Sequence, residues 1–203
     1  MISKLKIFFI IIATWSFSGC SDRPTLNSLV PDATILAFGN SLTHGTGATN
    51  DQSYPAILEQ LINRRVINAG IPGEVTAKGL ARLPDILDQK DIRLIILTHG
   101  GNDMLRKKDL AAAADNLRNM IRLAKKRNID VVLIGVPKPG LFMSPADFYA
   151  EIAEEFNLPY ESDVLPYILI RPQLKSDAIH PNAQGYALMA KSIAELLQKY
   201  GAL

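Results

Sequence analysis

Two short stretches carry residue types that can do covalent chemistry together. Gly39-Asn40-Ser41-Leu42 puts a serine at the end of an apolar run, and Asp177-Ala178-Ile179-His180 puts a carboxylate three residues before an imidazole. A serine hydroxyl is a poor nucleophile until a base takes its proton. His180 can supply that base with one ring nitrogen if a carboxylate holds the other, and the spacing lets a single turn bring Asp177 to it. The carboxylate then fixes the tautomer and stabilises the imidazolium. A tetrahedral oxyanion also needs donors. The backbone N–H groups of Ser41 and Gly70 and the side-chain amide of Asn102 are the candidates. A Gly-Asn-Ser turn or an Asp-x-x-His pair, taken alone, is more often structural than catalytic, so the elements that carry them have to decide.

Those elements alternate. Apolar, β-rich runs are read at Thr34–Phe38, Arg65–Asn68, Leu94–Thr98 and Val131–Val136, with a short fifth near Leu158–Glu161. Helical patterns lie between and after them, at Tyr54–Asn63, around Val75–Leu87, and at Leu110–Arg127, Ala146–Phe156 and Asn182–Tyr200. Near-continuous apolar strands alternating with amphipathic helices predict a parallel sheet of about five strands between two helical layers, an α/β/α sandwich. Active sites in such sheets sit at the carboxyl ends of the strands. Gly39-Asn40-Ser41, Asn68-Ala69-Gly70 and His99-Gly100-Gly101-Asn102-Asp103 all follow strands, and Asp177–His180 comes just before the last helix. Four segments distant in sequence are expected to meet at one sheet edge.

In this order, the segments resemble the blocks of SGNH hydrolases of the GDSL type, and among these the bacterial thioesterase I/lysophospholipase L1/arylesterase group. The likeness extends over nearly the whole chain after its N-terminal leader. It implies a flavodoxin-like sheet and carries the block residues over as Ser41, Gly70, Asn102 and His180, with Asp177 completing the triad. It implies a serine esterase acting on acyl esters or thioesters through an acyl-enzyme, with no cofactor. The name-giving Gly-Asp-Ser-Leu reads Gly39-Asn40-Ser41-Leu42 here, so an amide replaces a carboxylate of the same shape. A carbohydrate O-deacetylase is the alternative within enzymes, and a non-catalytic lipid- or glycan-binding envelope lipoprotein the alternative outside them.

The remaining chemistry-bearing residues read more plainly. His44 reads as a solvated loop histidine, His99 as a packing residue behind the site, and Asp103 as a cap on its turn or the next helix. Three scattered histidines and one cysteine give no metal-ligand spacing. Gly45-Thr46-Gly47 lacks the Lys-Ser/Thr of a phosphate-binding loop, and no Gly-x-Ser-x-Gly elbow is present. Leu141-Phe142-Met143, in a Pro/Gly-rich loop after the fourth strand, suits one wall of an acyl pocket, and equally a loop folded on the core.

Length and composition fit one domain: 203 residues, 48% hydrophobic, 21% charged, net charge +2. The basic run Lys125-Lys126-Arg127 ends a helical pattern without interleaved aromatics, which argues against nucleic acid. The N-terminus stands apart. Lys4 and Lys6 precede the apolar Ile7–Ile12, and small residues follow, as in a secretory signal over residues 1–19. Phe17-Ser18-Gly19-Cys20 resembles the lipobox of bacterial lipoproteins, with Phe where Leu is preferred. That likeness implies lipidation of Cys20, a tether over 20–32 and a domain over 33–203. Ser21, in place of an aspartate, implies the outer membrane facing the periplasm. Cleavage after Ser18, leaving a soluble periplasmic protein, is the alternative.

Overall fold

The computed structural model describes residues 23–89, 91–140 and 143–203. The leader, Cys20, Leu141 and Phe142 lie outside the described residues. Five strands, β1 (Thr34–Gly39), β2 (Arg65–Gly70), β3 (Ile92–Thr98), β4 (Asp130–Ile134) and β5 (Tyr160–Glu161), form one parallel sheet in the order β2-β1-β3-β4-β5. This is the flavodoxin-like arrangement. β1 lies between β2 and β3 and every residue of it is buried, as are the last five of the central β3. That is why these strands read as unbroken apolar runs rather than alternating ones. Leu36 and Ile96, both fully buried, each contribute about 1.5–3 kcal/mol of apolar transfer.

Eight α-helices accompany the sheet among the described residues: α1 (Ser41–His44), α2 (Tyr54–Ile62), α3 (Thr76–Gln89), α4 (Gly101–Leu105), α5 (Leu110–Lys125), α6 (Asp147–Glu155), α7 (Val164–Leu169) and α8 (Ala183–Lys199). α2 packs against α8, and α7 against α8; α3 packs against α5, and α5 against α6. These two groups are the outer layers of the sandwich. None of the described helices is long and apolar enough to cross a membrane. α4 and α7 were not evident in the sequence, since five or six residues are too short to show a helical period. β4 ends two residues before the expected Val136. The chain then leaves the sheet for a loop closed by pairing of Pro137 with Pro145 and a bond from Lys138 N to Ser144 O of 2.9 Å.

Residues 26–29, which the sequence places in a tether, pack on the domain. Leu29 is buried, and Leu26 N and Leu29 N donate to Tyr200 O (2.9 Å) and Ala202 O (2.8 Å). Asn27 N donates to Asp130 Oδ2 at 2.7 Å. Residues 26–29 therefore dock at the start of β4, the amino edge of the sheet.

Candidate active site

The first strand delivers its serine through a capped turn. β1 ends at Gly39, and Asn40, almost fully buried, turns the chain into α1. Its Oδ1 accepts Leu42 N at 3.1 Å, and its carbonyl accepts Thr43 N (3.1 Å) and His44 N (2.9 Å). A neutral amide thus does the capping that a carboxylate would do. Ser41 is the first residue of α1, so its N–H has no acceptor within the helix.

The last helix delivers the base. Asn182 caps α8 through a bond from Gly185 N of 3.1 Å. The preceding segment is folded by Asp177, whose Oδ1 accepts Ile179 N (2.8 Å) and His180 N (2.9 Å). That local turn aims the other carboxylate oxygen at the ring: Asp177 Oδ2 lies 2.7 Å from His180 Nδ1, and His180 Nε2 lies 3.0 Å from Ser41 Oγ. Partial burial alone would raise the Asp177 carboxyl. The bonds from the His180 ring and the two backbone amides outweigh it and hold the group below its usual range. An ionised Asp177 accepts the Nδ1 hydrogen, which leaves the Nε2 lone pair facing the serine hydroxyl.

The third strand delivers an amide. Gly100 caps α4 in a left-handed conformation, and Asn102 follows in its first turn. Asn102 Nδ2 donates one hydrogen to Glu74 O at 3.1 Å. The second hydrogen of the same amide remains, and Asn102 lines the cleft that holds Ser41 and His180.

Gly70 does not join them. Its N–H is taken by Asn68 Oδ1 at 3.0 Å, and it lines a separate groove with His44, Asn50, Ser53 and Glu59. A Cβ at position 70 would run into the backbone N of His44, so this glycine serves the close packing of β2 on α1. The glycine beside Asn102's partner is Gly73. Ile71–Glu74 is a turn with Pro72 and Gly73 at its centre, closed by Glu74 N to Ile71 O at 3.1 Å. Gly73 has φ +75°, which the third position of a type II turn requires. Its N–H has no hydrogen-bond partner among the described residues, and its carbonyl accepts Arg106 Nη2 at 2.8 Å. The Pro-Gly pair was a readable turn signal, but nothing local tied it to the site.

The remaining candidates separate clearly. His44 is exposed and lies in the groove with Gly70, away from the cleft. His99 is fully buried behind the site, with Nε2 3.1 Å from Glu74 Oε2 and Nδ1 accepting Gly100 N at 3.2 Å. Asp103 caps α3 rather than its own turn or the next helix, accepting Thr76 N (2.9 Å) and Thr76 Oγ1 (2.8 Å). Met143 lines the cleft with Leu42, Leu105, Val136 and Ile179, so its walls are mostly apolar. Glu74 and Arg82, unnoticed in the sequence, form an ion pair under the strand ends, Glu74 buried and Arg82 half-buried, with Arg82 Nη2 2.7 Å from Glu74 Oε2. No cluster of three or more His, Cys, Asp or Glu able to hold a metal occurs among the described residues.

The profile of the GDSL-like Lipase/Acylhydrolase family matches residues 37–188. An arylesterase of Vibrio mimicus is 31% identical over 177 residues, covering 82% of this chain and 88% of that protein. The thioesterase 1/protease 1/lysophospholipase L1 of Escherichia coli (strain K12) is 30% identical over 173 residues, covering 81% and 83%. Among solved structures, AlinE4, an SGNH-hydrolase family esterase, aligns with a TM-score of 0.65 at 32% identity over 85% of this chain and 98% of its own.

Proposed function

The chain belongs to the GDSL-like lipase/acylhydrolase family and is an SGNH-type ester hydrolase, and from that premise we propose that it cleaves carboxylic esters of acyl chains with Ser41, His180 and Asp177 as its triad. The observation that carries this reading is the continuous line of bonds from Asp177 Oδ2 to His180 to Ser41 Oγ, at 2.7 and 3.0 Å.

In this mechanism Ser41 Oγ attacks the acyl carbonyl carbon as its proton passes to His180 Nε2. Asp177 stabilises the imidazolium across the Nδ1 bond. The carbonyl π electrons move to oxygen, and the oxyanion is met by Ser41 N–H, the free hydrogen of Asn102 Nδ2 and Gly73 N–H. The lack of a partner for Gly73 N–H among the described residues and its place next to Glu74 support that third assignment. Collapse of the intermediate expels the leaving oxygen or sulfur, which takes the proton from His180. Water then repeats the sequence on the acyl-serine, with His180 again as base, and regenerates Ser41. Metal and cofactor play no part in these steps.

The substrate class we propose is an acyl ester whose chain lies on Leu42, Met143 and Ile179. The named relatives, an arylesterase and a thioesterase 1/lysophospholipase L1, support that class. We further propose export and lipidation at Cys20, on the strength of the leader and the lipobox-like Phe17–Cys20. Initial rates on p-nitrophenyl esters of increasing acyl length, for wild type and Ser41→Ala, test the esterase reading. Hydrolysis of every ester by Ser41→Ala at the wild-type rate would overturn it.

A further inference from the structure

Beneath the cleft, a chain of hydrogen bonds joins the ends of three strands. Gly100 N donates to His99 Nδ1 at 3.2 Å. That bond leaves the ring hydrogen on Nε2, which points at Glu74 Oε2, 3.1 Å away. Arg82 meets the same carboxylate from the other side, with Nε 2.8 Å from Oε1 and Nη2 2.7 Å from Oε2. Arg82 Nη2 also reaches the carbonyls of Ala69 (2.8 Å) and Gly39 (3.3 Å). Its guanidinium lies 4.2 Å from the centre of the Phe38 ring. Gly39 is two residues before Ser41, and Gly100 is two before Asn102. Glu74 therefore sits between the strand that presents the nucleophile and the turn that presents the amide. Its own carbonyl holds Asn102 Nδ2 at 3.1 Å.

We propose that Glu74 is a positioning residue for the oxyanion site: through His99 and Arg82 it sets the Asn102 amide and its own turn against Ser41. This rests on the esterase reading given above. Burial alone would raise the Glu74 carboxyl, but the bonds from His99 and Arg82 outweigh it and hold the group at about 2. The carboxylate is thus ionised across the working range, and both of its partners stay in place. Glu74 touches no reacting atom, so its loss acts through Asn102. A displacement of the amide by a fraction of an ångström weakens a bond that matters most when the carbonyl oxygen is fully charged.

The test compares Glu74→Gln with wild type on p-nitrophenyl butyrate and on inhibition by an alkyl boronic acid, whose serine adduct is tetrahedral and anionic. The expected result is a kcat lower by roughly 10- to 10²-fold with KM within about twofold, and a boronate Ki raised in proportion to the fall in kcat/KM. His99→Leu and His99→Gln provide a second route if Glu74→Gln does not fold. The glutamine amide can still donate to Glu74 and leucine cannot, so kcat should fall in His99→Leu and be largely restored in His99→Gln. Wild-type kcat and Ki in folded Glu74→Gln, or equal kcat in the two His99 variants, would overturn the positioning role. An active Ser41→Ala enzyme would instead overturn the esterase reading and this assignment with it.

Discussion

His180 Nε2 stands 3.0 Å from Ser41 Oγ although 139 positions separate the two residues. The contact exists because β1 and the approach to α8 end at the same edge of the sheet. Ser41→Ala should abolish ester hydrolysis, by roughly 10⁴- to 10⁶-fold in kcat, with a melting curve close to wild type. His180→Ala should cost as much, and Asp177→Ala less, because the carboxylate acts only through the ring. Active-site titration paired with circular dichroism checks both parts. A triad would be ruled out by an Asp177→Ala enzyme more damaged than His180→Ala.

Asn102 has a test of its own. One amide hydrogen is used on Glu74 O, the other is left over, and the residue lines the cleft. Asn102→Ala should lower kcat and kcat/KM together by about 10²–10³-fold with KM little changed. Loss of the Glu74 contact should also lower the melting temperature. Steady-state kinetics corrected for folded fraction separates the two effects, and a normal kcat per folded molecule would remove Asn102 from the oxyanion site.

Acid should destabilise the fold through Glu74. Its carboxyl is held at about 2 in the folded chain against 4.5 for the free group. The folded state therefore binds fewer protons than the unfolded one between these values. The stabilisation is complete above about pH 4.5 and is lost as pH falls toward 2. Urea denaturation at several pH values should show this slope in wild type and a shallower one in Glu74→Gln. Parallel curves for the two proteins would contradict it.

Substrate choice is checked by chain length. The cleft walls at Leu42, Leu105, Met143 and Ile179 are apolar, and each methylene buried there is worth about 0.8 kcal/mol. kcat/KM on p-nitrophenyl esters should rise from acetate to longer chains, and Met143→Ser should flatten the rise. A preference for acetate over every longer chain would favour the deacetylase alternative.

Lipidation is read out by labelling. Cells expressing the full chain and fed a radioactive fatty acid should label wild type and leave Cys20→Ser unlabelled. Equal labelling of both would exclude Cys20 as the modified residue.

Sequence reasoning reached the sheet and the meeting of Ser41, His180 and Asp177 because both leave local marks. Buried parallel strands are apolar throughout, and Asp177 reaches His180 within one turn. Asn102 was legible because its Gly-Gly pair follows a strand. Gly70 and Gly73 lie three residues apart near the end of β2, and the N–H of Gly70 is turned to Asn68 Oδ1 instead of the cleft. Choosing between them needs the strand's end point and the orientation of Asn68. The couple of Glu74 with His99 and Arg82 left no mark, since its members lie on three different elements and each alone reads as ordinary.

The docking of residues 26–29 against Tyr200, Ala202 and Asp130 gives the molecule a fixed polarity. The chain enters at one pole and the cleft opens at the other. Leu26 lies six positions after Cys20, a span of at most about 20 Å when extended. A lipid on Cys20 would therefore keep the docked pole near the bilayer and leave the cleft at the opposite pole open to esters from the aqueous side. For the same reason, coupling the protein to a resin by its N-terminus should leave the entrance open, whereas coupling through lysines beside the cleft, such as Lys138, should block it.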